Sequence, residues 1–150
     1  ELVAGVDTRV VEERETEDGE LIEVSRNFFA QAADGTLCYF GENVDFFEDG
    51  EVVSHEGAWR ADGAGNRPGI IMPADPQPGM RFRMESAPGI AEDEGEVLEV
   101  GVAEEVPAGR FVETVRIRER NPLDGDEGEK VFAAGVGLIV DAELELVSSE

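Results

Sequence analysis

The stretch EDGELIEVSRNFFAQAADGT, from Glu17 to Thr36, decides the fold. Two Asp-Gly pairs, Asp18-Gly19 and Asp34-Gly35, bracket a run rich in Val, Ile and Phe, and a third pair, Asp49-Gly50, follows. Asp-Gly between apolar runs is the strongest short hairpin signal, because a type I′ turn needs positive φ at both central residues. The spacing predicts such turns at all three pairs. It predicts antiparallel strands over 20–32, 36–47 and 51–60, after a first strand at 8–16. This is a β-meander.

Beyond residue 60 the punctuation changes to Pro68-Gly69, Pro78-Gly79 and Pro88-Gly89. Proline sets φ for the first central position and glycine accepts the second, so each pair predicts a type II turn. The segment 62–79 reads as a long connection in which only Ile70-Ile71-Met72 is apolar enough to dock on a core. Connections of that length are usually lids, binding loops or crossovers. Alternation then resumes. Met80, Phe82 and Met84 face one way, and Arg81, Arg83 and Glu85 the other. Leu98, Val100 and Val102 alternate with Val97, Glu99 and Gly101. After Pro107-Ala108-Gly109, residues Phe111, Val115 and Ile117 are expected inside and Arg116, Arg118 and Arg120 outside. A last strand over 138–147 is expected to turn Leu138, Val140, Leu144 and Leu146 inward.

No segment reads as a helix; the best candidate, 89–96, is broken by Gly95. The expectation is a single all-β domain over residues 1–150. It is an antiparallel meander forming a β-sandwich or half-open barrel of about 8–10 strands. The expected core includes Ile22, Val24, Phe28, Phe82, Val100, Val115, Ile117, Leu138, Val140 and Leu144.

Charge narrows the environment. Asp and Glu number 36 against 12 Lys and Arg, a formal net charge of −24. So negative a surface repels phosphate backbones and anionic membranes, which excludes nucleic acid and anionic lipid surfaces as partners. Its self-repulsion requires salt, divalent cations or a cationic partner as compensation. Lys130 is the one lysine, every other basic residue being Arg. That bias suits a high-GC genome, and acidity with almost no lysine is similar to proteins of salt-loving organisms. Lone Cys38 excludes an intramolecular disulfide and cysteine metal frameworks, and reads as a small buried hydrophobe. The chain opens in mid-pattern at Glu1-Leu2-Val3, as a processed or truncated start would.

Across Ala30-Gln31, Asp34-Gly35, Tyr39-Phe40-Gly41-Glu42, Asp49-Gly50 and Glu56-Gly57-Ala58-Trp59 the chain resembles a family of secreted or lipid-anchored all-β proteins. These come from high-GC bacteria and related microbes, and no activity is established for them. The resemblance continues through Pro68-Gly69-Ile70-Ile71-Met72-Pro73, Glu85 to Asp93, Val106-Pro107-Ala108-Gly109 and Ala134-Gly135-Val136-Gly137-Leu138. It implies export to an extracellular, periplasmic or cell-surface location and supplies no catalytic residue.

Among candidate sites, His55 is the only histidine. It follows Ser54 on an expected strand, where adjacent residues face opposite sides, so the two form no dyad. Calcium is the most credible ligand, since it takes six to eight oxygens. Two acidic groups have the density for it: Glu92, Asp93, Glu94 and Glu96, and Asp124, Asp126, Glu127 and Glu129. Neither is an EF-hand, and the competing reading is a solvated acidic face. The Arg116, Arg118 and Arg120 row is expected to pair with acids on neighbouring strands rather than bind an anion. Phe28-Phe29, Tyr39-Phe40 and Phe46-Phe47 place a ring on both faces of their strands, so a second layer, the long loop, a ligand or a partner must cover one face.

The leading expectation is an exported, non-enzymatic binding or assembly module stabilised by calcium or salt. A protein partner or a homo-oligomer would fit it. Two alternatives are a carboxylate-based hydrolase with its site under the 62–79 loop, and a carrier of a small apolar molecule beside Met80, Phe82 and Met84.

Overall fold

A computed structural model describes residues 1–149. The fold is all-β, an antiparallel meander without a helix among the described residues, and neither main sheet closes into a barrel. The chain divides into two compact units, Glu1–Ala74 with Met84–Glu92, and Asp75–Arg83 with Asp93–Glu150.

In the first unit β1 (Leu2–Val3) and β2 (Val6–Asp7) form a small hairpin around Ala4-Gly5. β3 (Arg9–Glu17), β4 (Glu20–Gln31), β5 (Leu37–Glu48) and β6 (Glu51–Ser54) then form the expected meander in the order β3-β4-β5-β6. The expected strand over 51–60 is interrupted, because Gly57 has φ of 81° and Ala58 N–H donates to the His55 carbonyl. After that turn β7 (Trp59–Arg60) and β8 (Gly69–Met72) return to β5. One edge of β5 is therefore shared in turn by β8, β7 and β6. The Ile70-Ile71-Met72 segment does dock, as an added strand.

Two turns are of another type than the sequence predicts. Asp18-Gly19 and Asp49-Gly50 have positive φ at both residues, as a type I′ turn requires. At Asp34-Gly35 only Gly35 is left-handed, with φ of 101°. Gly35 N–H donates to the Ala32 carbonyl, and Thr36 N–H donates to the Asp34 carboxylate. This is a longer loop ending in a glycine bulge, so the hairpin stands but its turn differs. Pro68-Gly69 is not a type II turn either. Gly69 begins β8 and lies so close to Met84 that a Cβ would overlap the Met84 carbonyl oxygen. Pro78-Gly79 and Pro88-Gly89 do have the left-handed glycine and the closing hydrogen bonds Met80 to Gln77 and Ile90 to Ala87.

The first unit's core gathers Val3, Phe28, Tyr39, Phe40, Trp59, Ala61, Ala87 and Ala91. The 85–92 segment and the β1–β2 hairpin thus supply part of the second layer that the paired rings require.

The second unit is a meander whose chain is interrupted once, where Met84–Glu92 belongs to the first unit. β9 (Arg81–Arg83), β10 (Glu94–Val106), β11 (Gly109–Arg120), β12 (Glu127–Ala133), β13 (Gly137–Asp141) and β14 (Leu144–Glu145) lie side by side in reverse chain order. The expected strand over 138–147 is two strands, since Ala142 turns the chain with φ of 51°. Its register differs too. Ile139 is buried, whereas Leu138 and Val140 are half-buried and Leu144 is 70% exposed. An irregularity in the β12–β13 pairing between Val131 and Phe132 moves the inward position by one residue. Ile22 and Val100 also lie at the surface, each beside a β-bulge. Val24, Phe28 and Ile117 are buried as expected.

Candidate functional site

The β10–β11–β12 register determines which charged groups meet. On one face Arg81, Glu96, Arg118 and Glu129 stand directly opposite one another across four strands. Arg83, Glu94, Arg120 and Glu127 form a second such row. Strand alternation puts all of them on one side, and the sequence places opposite charges on successive strands. Arg118 and Arg81 share Glu96 at 3.7 and 3.2 Å, and Arg120 lies 3.8 Å from Glu127. Arg116 is held by Glu99, Glu104 and Glu129, whose charges raise its pKa despite the opposing effect of burial. The arginine row is thus paired with acids on neighbouring strands. Of the calcium candidates, Glu94, Glu96 and Glu129 belong to this face alone, Glu127 borders both this face and a pocket at its end, and Glu92 belongs to the first unit.

Glu127 and the other three candidates come together. Asp93, immediately before β10, shares a pocket of about 270 Å³ with Asp124 and Asp126 from the 121–126 loop and Glu127 at the start of β12. Asn121 and Glu119 complete the lining with Gly128. The loop is fastened locally. The Asn121 side chain accepts from Leu123 N–H, the Asp124 carboxylate accepts from Asp126 N–H, and Asn121 N–H donates to the Asp126 carbonyl.

Glu119 and Lys130 are the residues that sequence reasoning missed here. Glu119 stands opposite Gly95 on one side and Gly128 on the other, so no side chain on either neighbouring strand covers it directly. Lys130 lies 3.6 Å from Glu119 and 3.0 Å from Asp141. Those two carboxylates keep the Lys130 pKa raised although burial opposes it. Burial raises the Glu119 pKa, reinforced by Asp93 and Asp141 against the attraction of Lys130. Burial likewise raises the pKa of Asp93, with a further push from Asp124. The Asp93 Oδ1 atom is buried without a hydrogen-bond partner. The signal for Glu119 lay in the alternation itself, since it is the next residue on the inward face after Val115 and Ile117.

This pocket concentrates negative charge around two carboxyls that ionise reluctantly, and such a place favours a proton or a cation. In the present conformation no three acids, histidines or cysteines among the described residues converge at metal-ligand geometry.

The remaining candidates fall elsewhere. His55 Nδ1 lies 2.9 Å from Asp45, with its side chain 68% exposed, while Ser54 Oγ accepts from Glu56 N–H. Histidine and serine act separately. Cys38 is half-buried rather than fully buried, and burial together with Asp34 raises its thiol pKa. Asp62 and Asp75 of the long connection are exposed. Met80 and Phe82 are half-buried in the second unit, and Met84 is buried in the first.

In the first unit the Tyr39 hydroxyl donates to Asn27 Oδ1 at 2.6 Å, and Asn27 donates to Glu13 and Ser25. Tyr39 stacks on Phe29 and meets Trp59 edge to face, and Trp59 Nε1–H donates to Glu85. Burial, Glu42 and Glu85 drive the Tyr39 pKa far up, so its hydroxyl stays protonated and serves as a donor. This polar chain organises the core. No family model, no curated protein and no solved structure matches this chain.

Proposed function

We propose that the chain is a non-enzymatic binding module of an exported protein, and that calcium is the ligand of its acidic pocket. The observation that carries this reading is Asp93 Oδ1, a buried carboxylate oxygen without a hydrogen-bond partner beside four further acids, Glu119, Asp124, Asp126 and Glu127. An unsatisfied buried acceptor is costly, and native structures retain few of them. A hard cation would satisfy it. Calcium accepts carboxylate, amide and carbonyl oxygens in flexible geometry, and Asp93, Asn121, Asp124 and Asp126 offer that donor set. Binding would draw the 121–126 loop towards Asp93 and thereby order it. The pocket suits the weak affinity class of extracellular modules, with Kd about 10⁻⁴–10⁻³ M. The resemblance to exported proteins and the −24 charge support a location outside the cell, where salt and calcium act together.

Thermal melts with calcium added at constant ionic strength test the reading. A hundredfold excess over Kd should stabilise the chain by about 2.7 kcal/mol, raising Tm by several degrees. Asp93→Asn should remove that response. Because it also removes a buried negative charge, it should raise Tm in the absence of calcium. A calcium effect no larger than that of sodium chloride at equal ionic strength would sink the proposal.

A further inference from the structure

β3 is exposed on both faces along all nine residues, and Val10 and Val11 remain 42% and 38% accessible. It lies at the end of its sheet, and among the described residues no strand pairs its outer edge. An edge of this length with unpaired N–H and C=O groups is a template for another strand. Its sequence, RVVEERETE from Arg9 to Glu17, specifies which one.

Two copies of an edge strand joined antiparallel must be related by a two-fold axis passing between a residue and its own copy. With the axis at Glu13, Arg9 of one copy faces Glu17 of the other. Val10 faces Thr16, Val11 faces Glu15, and Glu12 faces Arg14. By symmetry this gives four oppositely charged pairs, and all nine residues are matched. Glu13 alone meets a like charge, and its carboxylate already accepts a hydrogen bond from Asn27 Nδ2 at 3.3 Å within its own chain. Moving the axis to Arg14 opposes arginine to arginine and Glu13 to Glu15. Moving it to Glu12 opposes that acid to itself and leaves residues 16 and 17 unmatched.

We propose that β3 is a self-complementary edge that joins two copies of this chain, with Glu13 at the axis, into a sheet continuous from one copy to the next. The charges favour this register: it forms four oppositely charged pairs, whereas the Glu12 axis keeps only the two Arg9–Glu15 pairs and the Arg14 axis forms none. A single strand-to-strand joint between chains of −24 charge makes a reversible dimer that salt strengthens. In about 1 M sodium chloride the Debye length falls to about 3 Å, which removes the long-range repulsion and leaves the contacts.

Sedimentation in that salt over a range of chain concentrations tests the proposal with a charge exchange. Arg9 and Glu17 are exposed, so their substitution leaves the core untouched. Arg9→Glu and Glu17→Arg should each weaken self-association by about tenfold or more, since each variant opposes like charges twice. An equimolar mixture of the two variants should associate as a heterodimer, because both altered pairs then become complementary. Separately, Glu13→Cys in a Cys38→Ser background should form a disulfide with its own copy, as directly opposed Cα atoms lie within disulfide range. Thr16→Cys, which faces Val10, should not. A wild-type chain monomeric throughout, a mixture that stays monomeric, or equal cross-linking by the two cysteine variants would overturn the proposal, including the case in which the edge serves a different partner.

Discussion

Ile117 shows how much one inward position decides. It is fully buried on β11 between Val97 and Lys130 on the adjacent strands. Ile117→Ala should cost about 2–5 kcal/mol in urea unfolding, through lost transfer energy and the cavity left behind. Phe82, assigned to the same core from its alternation, is only half-buried, so Phe82→Ala should cost measurably less. Equal midpoint shifts for the two would refute this ranking. Glycines separate in the same way. Gly79 has a φ of 85° with open space around it, so alanine there pays only for backbone conformation, about 1 kcal/mol. Gly69 has an ordinary φ but no room for a Cβ against the Met84 carbonyl, and Gly69→Ala should be the more damaging of the two.

At the scale of elements, the hairpins follow from turn chemistry. Gly50→Val forces a β-branched residue to a φ of 79° and should destabilise by about 1 kcal/mol or more. At the Asp34-Gly35 hairpin the dependence lies on a side chain as well. Asp34→Ala removes the acceptor of Thr36 N–H and should lower the unfolding midpoint, by less than Gly50→Val does, in the same denaturation. The meander, the strand alternation and the absence of a helix were legible because period and punctuation are local properties. The breaks at Gly57 and Ala142 and the shift that buries Ile139 were not, since bulges depend on what the neighbouring strand does. The same limit applied to the pocket. Asp93, Asp124, Asp126 and Glu127 were visible as dense acid. Pairing Arg120 with Glu127 is what brings the two groups together and adds Glu119.

For the whole molecule, pH and salt report on the same charge. Glu23, Asp93 and Glu119 have raised pKa values, so the folded state holds their protons more tightly than the unfolded one. Stability is then lost as pH rises from the ordinary carboxylate range through the folded values. Glu12, held down by Arg14 and by the nearby Arg26, and Asp34, held down by Thr36 N–H, act in the opposite sense, losing stability as pH falls below that range. Without calcium and at low salt, Tm should be higher at about pH 5.5 than at about pH 8, and molar sodium chloride should narrow the gap. A Tm that climbs with pH across that interval would show that the depressed carboxylates outweigh the raised ones. On the alkaline side Cys38, Tyr39 and Lys130 all have raised pKa values, so stability is lost as pH rises from their ordinary values towards the folded ones. The shared edge of β5 has a different consequence. Because β6, β7 and β8 attach to it one after another, the connections between them begin and end on the same backbone. The exposed tip at 62–65 is closed by Gly63 N–H and Asn66 Nδ2–H donating to the Arg60 carbonyl. A foreign sequence spliced in beyond that clasp would leave every strand anchored where it was. This tip is where the scaffold can be lengthened, as a natural insertion or as a grafted recognition loop.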